Sequence, residues 1–220
     1  MINIALDIET ITSQCPEYRA KVRESIKPPA NYSKPETIAK WMEENAESAT
    51  DEAIAKTALD PALGHICSIA WAVENEEVRV STIHDLAGET LAIQSFFSAL
   101  PQMGMTRFIG HYITGFDLRF IMCRAIVLGV KVPALWPRDP KPWDQNVFDT
   151  MTAWAGARGT IGLERLCEAL GIESPKGDMA GNQVAAAWAA GEFDRIAAYN
   201  KKDVEAVREV FRKFEAVGLV

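Results

Sequence analysis

The chain opens on an apolar run, Ile2 to Ile8, rich in β-branched residues, which predicts a buried strand. The pattern then changes. Residues 14–62 carry Pro16, Pro28, Pro29, Pro35 and Pro61, many charges and few large apolar groups. Within that stretch, Pro35 to Ala49 and Asp51 to Leu59 are predicted helices, each begun by a good starter. We expect the stretch to be an insertion packed on a core, so that residues 1–220 form a single domain.

From His65 strand character returns. Ile66 to Val73 and Val78 to Ile83, separated by Glu74-Asn75-Glu76-Glu77, predict a hairpin. Leu91 to Leu100 has helical spacing, Arg107 to His111 predicts a short strand, and Leu118 to Leu128 a strongly apolar helix. Ile161 to Leu170 predicts a helix closed by Gly171, which suits the left-handed C-terminal position. Val204, Val207, Phe211 and Phe214 recur at steps of three and four and make one apolar stripe on a final helix. Strands, a hairpin, then helices alternating with short strands predict an α/β or α+β sheet with helices on its faces.

Composition narrows the class. Of 220 residues, 48% are hydrophobic and 24% charged, enough apolar content for a core and too much for a disordered or low-complexity chain. No apolar run approaches the ~18 residues of a membrane span, and Met1-Ile2-Asn3-Ile4 does not begin a signal peptide. Cys15, Cys67, Cys123 and Cys167 are scattered, which predicts reduced core thiols in a cytoplasmic protein rather than a zinc site or disulfides. Trp71, Trp154 and Trp188 have apolar neighbours and are expected in the core. The net charge of −7 argues against a partner held by bulk charge, such as long duplex DNA.

The chemistry lies in acidic residues. Asp7-Ile8-Glu9 closes the first strand, and strand alternation puts positions 7 and 9 on one face. Two like charges there repel unless protonated, solvated or bound to a cation, and carboxylates suit hard ions such as Mg²⁺ or Mn²⁺. Tyr199 and Asp203 stand four residues apart on the final helix and project together. Asp117, after Phe116, stands where a loop becomes a helix; taken alone it could be a simple N-cap, as could Asp149 in Phe148-Asp149-Thr150, which we read as structural.

Asp-x-Glu on the first strand, Phe-Asp before a central helix and Tyr-x-x-x-Asp on the last helix together resemble the DEDD 3′–5′ exonucleases, the tyrosine marking the DEDDy branch. The chain is most similar to predicted stand-alone exonucleases related to the proofreading domain of family B DNA polymerases. Asp7-Ile8-Glu9-Thr10, Gly64-His65-Ile66, Gly110-His111, Lys176-Gly177-Asp178-Met179-Ala180-Gly181 and Ile196-Ala197-Ala198-Tyr199 support the likeness, which runs from Ile2 to about Phe214. One departure is Tyr112, where the family usually carries Asn after the residue matching His111.

The resemblance implies an α/β, ribonuclease-H-like core: a central mixed sheet flanked by helices. It implies two divalent metal ions (Mg²⁺ or Mn²⁺), the first held by Asp7, Glu9 and Asp203, the second bridged by Asp7 and supported by Asp117. Tyr199 would orient the attacking water. Thr10, His111, Phe116 and Lys176 are the substrate-binding candidates, with Phe116 and Tyr112 also available to stack on a base. The expected activity is removal of nucleoside 5′-monophosphates from 3′ ends of single-stranded nucleic acid, DNA favoured. Candidate partners are a DNA polymerase or replication and repair proteins, with no membrane. An exoribonuclease and a non-catalytic module that binds nucleic-acid ends are the alternatives. If the four carboxylates are neutralised by metal, 26 acidic residues face 23 basic ones, a net of −3. That favours capture of a strand end over a grip on long duplexes.

Overall fold

The computed structural model describes residues 1–220 except Gln102, Met103, Pro142, Trp143, Lys176 and Asp178. It falls into two compact units, one of residues 1–10 and 66–220 and the other of residues 11–65. The second is wider at both ends than the 14–62 stretch marked out by composition.

The larger unit is built on a five-stranded mixed sheet. Its strands are β1 (Ile2–Ile11), β2 (His65–Val73), β3 (Arg79–Thr82), β4 (Thr106–Gly110) and β5 (Val147–Asp149), in the order β3-β2-β1-β4-β5. β1 and β4 run parallel, as do β4 and β5, while β2 and β3 form the antiparallel hairpin expected from their pattern. β1 continues to Ile11, past the Ile8 at which the apolar run stops, because backbone pairing does not require apolar side chains.

Strand parity sorts the two faces. Ile4, Leu6 and Ile8 of β1 join the main apolar core with Ile93, Phe96 and Phe97 of α3 (Gly88–Ala99) and Leu118, Phe120 and Ile121 of α4 (Asp117–Val127). The opposite face is made of small residues. Ala5 of β1 and Ala70 and Ala72 of β2 pack with Val204, on the long helix α8 (Phe193–Ala216). Val207 and Phe211 of α8 pack with Ile109 of β4. Alanines on the sheet let α8 approach closely, and Asp7 and Glu9 share their parity. The final helix is therefore brought to the carboxylate end of β1 by the stripe read from sequence, whose members Val204, Val207, Phe211 and Phe214 are all buried.

Three further helices are α5 (Thr150–Ala155), α6 (Leu163–Leu170) and α7 (Val184–Ala189). Gly171 ends α6 at φ +66°, the left-handed closure its position predicts. A buried two-pronged ion pair locks α3 to α4. Arg124 donates to Glu89 over 2.8 and 2.7 Å, and Glu89 also takes the backbone N–H of Ile66, at 2.9 Å, where β2 begins. Among the described residues no helix is long and apolar enough to cross a membrane.

In the smaller unit, α1 (Pro16–Ser25) and α2 (Pro35–Ala55) are joined through Arg19, which pairs with Glu47 and, at 2.7 Å, with Asp51. α2 is one helix where two were expected. Thr50 lies buried within it, its hydroxyl bonded to the Ala46 carbonyl at 2.6 Å, and a short 3₁₀ turn, Lys56–Leu59, follows. α1 was not foreseen because it buries no residue and so carries no apolar stripe.

Two further expectations are corrected. Trp154 is 45% exposed, its ring set T-shaped against Phe214 with centroids 6.5 Å apart, whereas Trp71 is buried and Trp188 is half-buried, its indole N–H donating to the Ile83 carbonyl at 2.7 Å. All four cysteines are free, yet only Cys67 and Cys167 lie in the core; Cys15 is exposed at the start of α1, and Cys123 is half-buried. For Trp154, neighbouring apolar letters in the chain were no guide to packing in space.

Candidate active site

The site is assembled where β1, α4 and α8 converge. Asp7 and Glu9 leave β1 on the face that α8 covers, and Asp203 meets them from α8, one residue before the buried Val204. Each of the three offers an oxygen, and these oxygens lie within 4.8 Å of one another. Asp117 arrives from the other side. β4 is registered with β1 only as far as Ala5, and the Ile8 N–H, beyond that ladder, donates to the Asp117 carboxylate at 3.0 Å. This bond ties the start of α4 to the strand bearing Asp7 and Glu9. Phe116, not Asp117, is the N-cap of α4.

Burial and mutual repulsion dominate the electrostatics. Desolvation, then the charges of Asp117, Asp203 and Glu9, holds Asp7 well above the usual carboxylate range. Glu9 is raised by desolvation and by Asp203 and Asp117. Asp117 is pushed to about 7 and Asp203 to about 6, in each case chiefly by burial. Four carboxyl groups so placed are poor anions by themselves, and an all-oxygen donor set of this charge fits hard divalent cations.

Tyr199 donates its phenol proton to Asp203, one turn away on α8. Burial and the nearby charges of Asp203, Glu9 and Asp7 push the phenol pKa up, so the hydroxyl stays protonated and acts as a donor.

The loop after β4 is held by a carboxylate that sequence reading left as a simple cap. Asp149 does cap α5, accepting from the Met151 and Thr152 amides at 3.1 and 3.2 Å. It also reaches across to the Tyr112 and Thr114 amides, both at 3.1 Å, and to the Thr114 hydroxyl at 2.6 Å. Tyr112 takes φ +60°, a conformation that costs a residue with a Cβ about 1–2 kcal/mol and that Asn adopts more readily. Its exposed ring lies over Gly115, where a Cβ would meet the ring at 2.3 Å.

The other expected substrate contacts fall around this frame. Thr10 follows Glu9 on β1 and is half-buried. Phe116 packs against Phe120, ring centroids 5.2 Å apart. Both His111 ring nitrogens are engaged, Nε2 with the Ile161 carbonyl at 2.8 Å and Nδ1 with the Thr150 hydroxyl at 3.0 Å, and burial lowers its pKa. Facing a carbonyl, Nε2 is the donor. Lys176 lies outside the described residues, as does Asp178 of the same motif.

Asn200 follows Tyr199 in Tyr-x-x-x-Asp and is not among the expected ligands. It is fully buried between the site and the sheet and donates to Asp7 at 2.6 Å. Stepping back four residues from Val204 along the apolar stripe lands on it, and a polar residue in a core position is the signal that could have marked it. A cavity of about 650 Å³ elsewhere in the unit, lined by Phe97, Val130, Pro133 and Leu135 among others, contains none of these carboxylates.

Residues 58–218 match the family described as a predicted 3′-5′ exonuclease related to the exonuclease domain of PolB, and the chain belongs to that family. The matched stretch includes Asp117, Tyr199 and Asp203; Asp7 and Glu9 precede it. No curated protein matches the chain. Among solved structures, the family B DNA polymerase from the hyperthermophilic archaeon Pyrobaculum calidifontis is similar, with a TM-score of 0.61 and 16% identity. The similarity covers 98% of this chain and 24% of the polymerase. The fold is thus the ribonuclease-H-like fold of polymerase exonucleases.

Proposed function

We propose that the chain is a metal-dependent 3′–5′ exonuclease that shortens single-stranded DNA from its 3′ end and releases nucleoside 5′-monophosphates. The observation that carries this reading is the convergence of Asp7, Glu9 and Asp203 within 4.8 Å, with Asp117 tied to the same strand. Asp7, Glu9 and Asp203 would hold one divalent ion, Mg²⁺ or Mn²⁺, and Asp7 with Asp117 a second. When bound, such ions lower the pKa of water and stabilise charge on a departing oxygen.

The remaining work falls to side chains. Tyr199, kept protonated and already bonded to Asp203, orients the attacking water by hydrogen bonding instead of removing its proton. The loop pinned by Asp149 presents Tyr112, whose exposed ring offers a face for a terminal base; such stacking is worth about 1–3 kcal/mol. Thr10 follows Glu9 on the strand and is the candidate for contact with the terminal nucleotide. The likeness to part of a family B DNA polymerase favours DNA as substrate and makes a polymerase or a replication or repair protein a candidate partner. Four free thiols suit the reducing cytoplasm.

The test is digestion of matched single-stranded DNA and RNA, each labelled at the 5′ or the 3′ end, with Mg²⁺ or Mn²⁺. The reading expects early release of 3′ label as mononucleotide, stepwise shortening of 5′-labelled DNA and slower loss of RNA. Release from the 5′ end first, or faster loss of RNA, would overturn it.

A further inference from the structure

Ser68, Asn200 and Asp7 form a continuous chain of hydrogen bonds through the interior. The Ser68 hydroxyl donates to Asn200 Oδ1 at 2.8 Å, and Asn200 Nδ2 donates to Asp7 Oδ2 at 2.6 Å. Ser68 and Asn200 are both fully buried. Each stands where an apolar residue would serve the fold. Ser68 begins the row Ser68, Ala70, Ala72 on the face of β2 that packs with α8, and Asn200 continues the α8 stripe back from Val204. Two buried polar side chains at core positions, aimed at one carboxylate, call for a reason other than packing.

The amide's orientation follows from chemistry. Ionised, the form in which it binds a cation, Asp7 only accepts hydrogen bonds, so Asn200 turns its NH₂ to Asp7 and leaves its oxygen for a donor. Ser68 is that donor. With the amide reversed, two oxygens would face each other. Asp7 thus has Oδ2 held by a fixed donor, which sets the plane of its carboxylate beside Glu9 and Asp203.

We infer that Ser68 and Asn200 are positioning residues that hold Asp7 in its cation-binding orientation, making the otherwise unremarked β2 strand part of the site. The inference rests on the metal-dependent reading above. Groups that orient a metal ligand typically contribute 10–100-fold in metal affinity or activity.

The test is calorimetric titration of Mn²⁺ into the wild type, Asn200→Leu and Ser68→Ala, alongside thermal unfolding in chelator. Leucine suits a buried helical stripe, so a purely structural Asn200 would leave Mn²⁺ affinity unchanged. Positioning instead predicts a dissociation constant about 10–100-fold higher in Asn200→Leu, and a kcat that falls while KM for DNA stays level. Ser68→Ala, which keeps the amide and removes only what orients it, should weaken Mn²⁺ by a smaller factor with unfolding temperature little changed. Wild-type affinity in a folded Asn200→Leu would overturn the inference. If that variant does not fold, wild-type affinity in Ser68→Ala does so alone. Absence of Mn²⁺ uptake by the wild type would instead overturn the nuclease reading, and this inference with it.

Discussion

Asp117 opens α4 and Asp149 caps α5, and both carboxylates are buried beside the loop that follows β4. Asp149 accepts five hydrogen bonds, from the amides of Tyr112, Thr114, Met151 and Thr152 and the Thr114 hydroxyl. Asp117 accepts from the Ile8 amide and from its own, yet burial, then the charges of Asp149 and Asp203, oppose its ionisation. One carboxylate has its lone pairs filled by fixed donors and builds a loop. The other is underserved by donors and surrounded by its own sign, so a cation improves its surroundings. Two acids in similar local sequence are separated by what reaches them from elsewhere in the fold.

The sharpest way to break this contrast is to neutralise each acid. Asp117→Asn keeps an oxygen for the Ile8 amide and removes only charge. It should lower nuclease activity by about 10²–10³-fold, the scale of losing one pre-oriented electrostatic group, while the metal-free protein becomes more stable at pH 8. Asp149→Ala should do the reverse in emphasis, costing about 2–4 kcal/mol in denaturant unfolding through the lost cap and the loop bonds. If both variants lose stability alike, the distinction between them is wrong.

The pH dependence of the metal-free protein comes next. Unfolded aspartates titrate near pH 4, whereas folded Asp203 and Asp117 titrate at about 6 and about 7. Between those limits the folded chain holds more protons than the unfolded one. Its stability should therefore fall as pH rises from about 4 through about 7, and the raised carboxyls of Asp7 and Glu9 add to that loss. Saturating Mn²⁺ should flatten the slope. Thermal unfolding in chelator and in Mn²⁺ reads both, and a metal-free protein that gains stability over this window would refute the raised carboxyls.

Smaller effects are expected from the tyrosines. Tyr199→Phe should slow hydrolysis roughly 10- to 100-fold, at or below the lower end of the range for full proton transfer, with Mn²⁺ affinity unchanged by calorimetry. An equal loss of affinity would make Tyr199 a support for Asp203 and not a water-orienting group. Tyr112→Asn should raise stability by less than about 1 kcal/mol, since Asn tolerates the left-handed backbone better. A marked loss of stability would mean that the ring over Gly115 matters more than the strain.

Much of this frame was readable in the chain itself. The alternation of β1 put Asp7 and Glu9 on one face, and the stripe on α8 aimed Asp203 and Tyr199 at it, because both patterns are local periodicities imposed by burial. What was not readable depends on distant partners. The reach of Asp149 to Tyr112 spans 37 positions and the bond from Ser68 to Asn200 spans 132. β5, only three residues long, α5 and α7 are too short for a period to emerge. The exposure of Trp154 shows the same limit from the other side, since apolar neighbours in sequence do not guarantee a cover in space.

The central claim, that the carboxylates of β1, α4 and α8 form a metal-dependent site acting on 3′ ends, is met most directly by one assay. Purified wild type and Asp7→Ala are incubated with a 5′-labelled single DNA strand in Mg²⁺, Mn²⁺ or EDTA, with folding of the variant checked by circular dichroism. Wild type should shorten the strand one nucleotide at a time in either metal and stop in EDTA, and the folded variant should leave it intact. Shortening that persists in EDTA, or at an undiminished rate in Asp7→Ala, would contradict the claim.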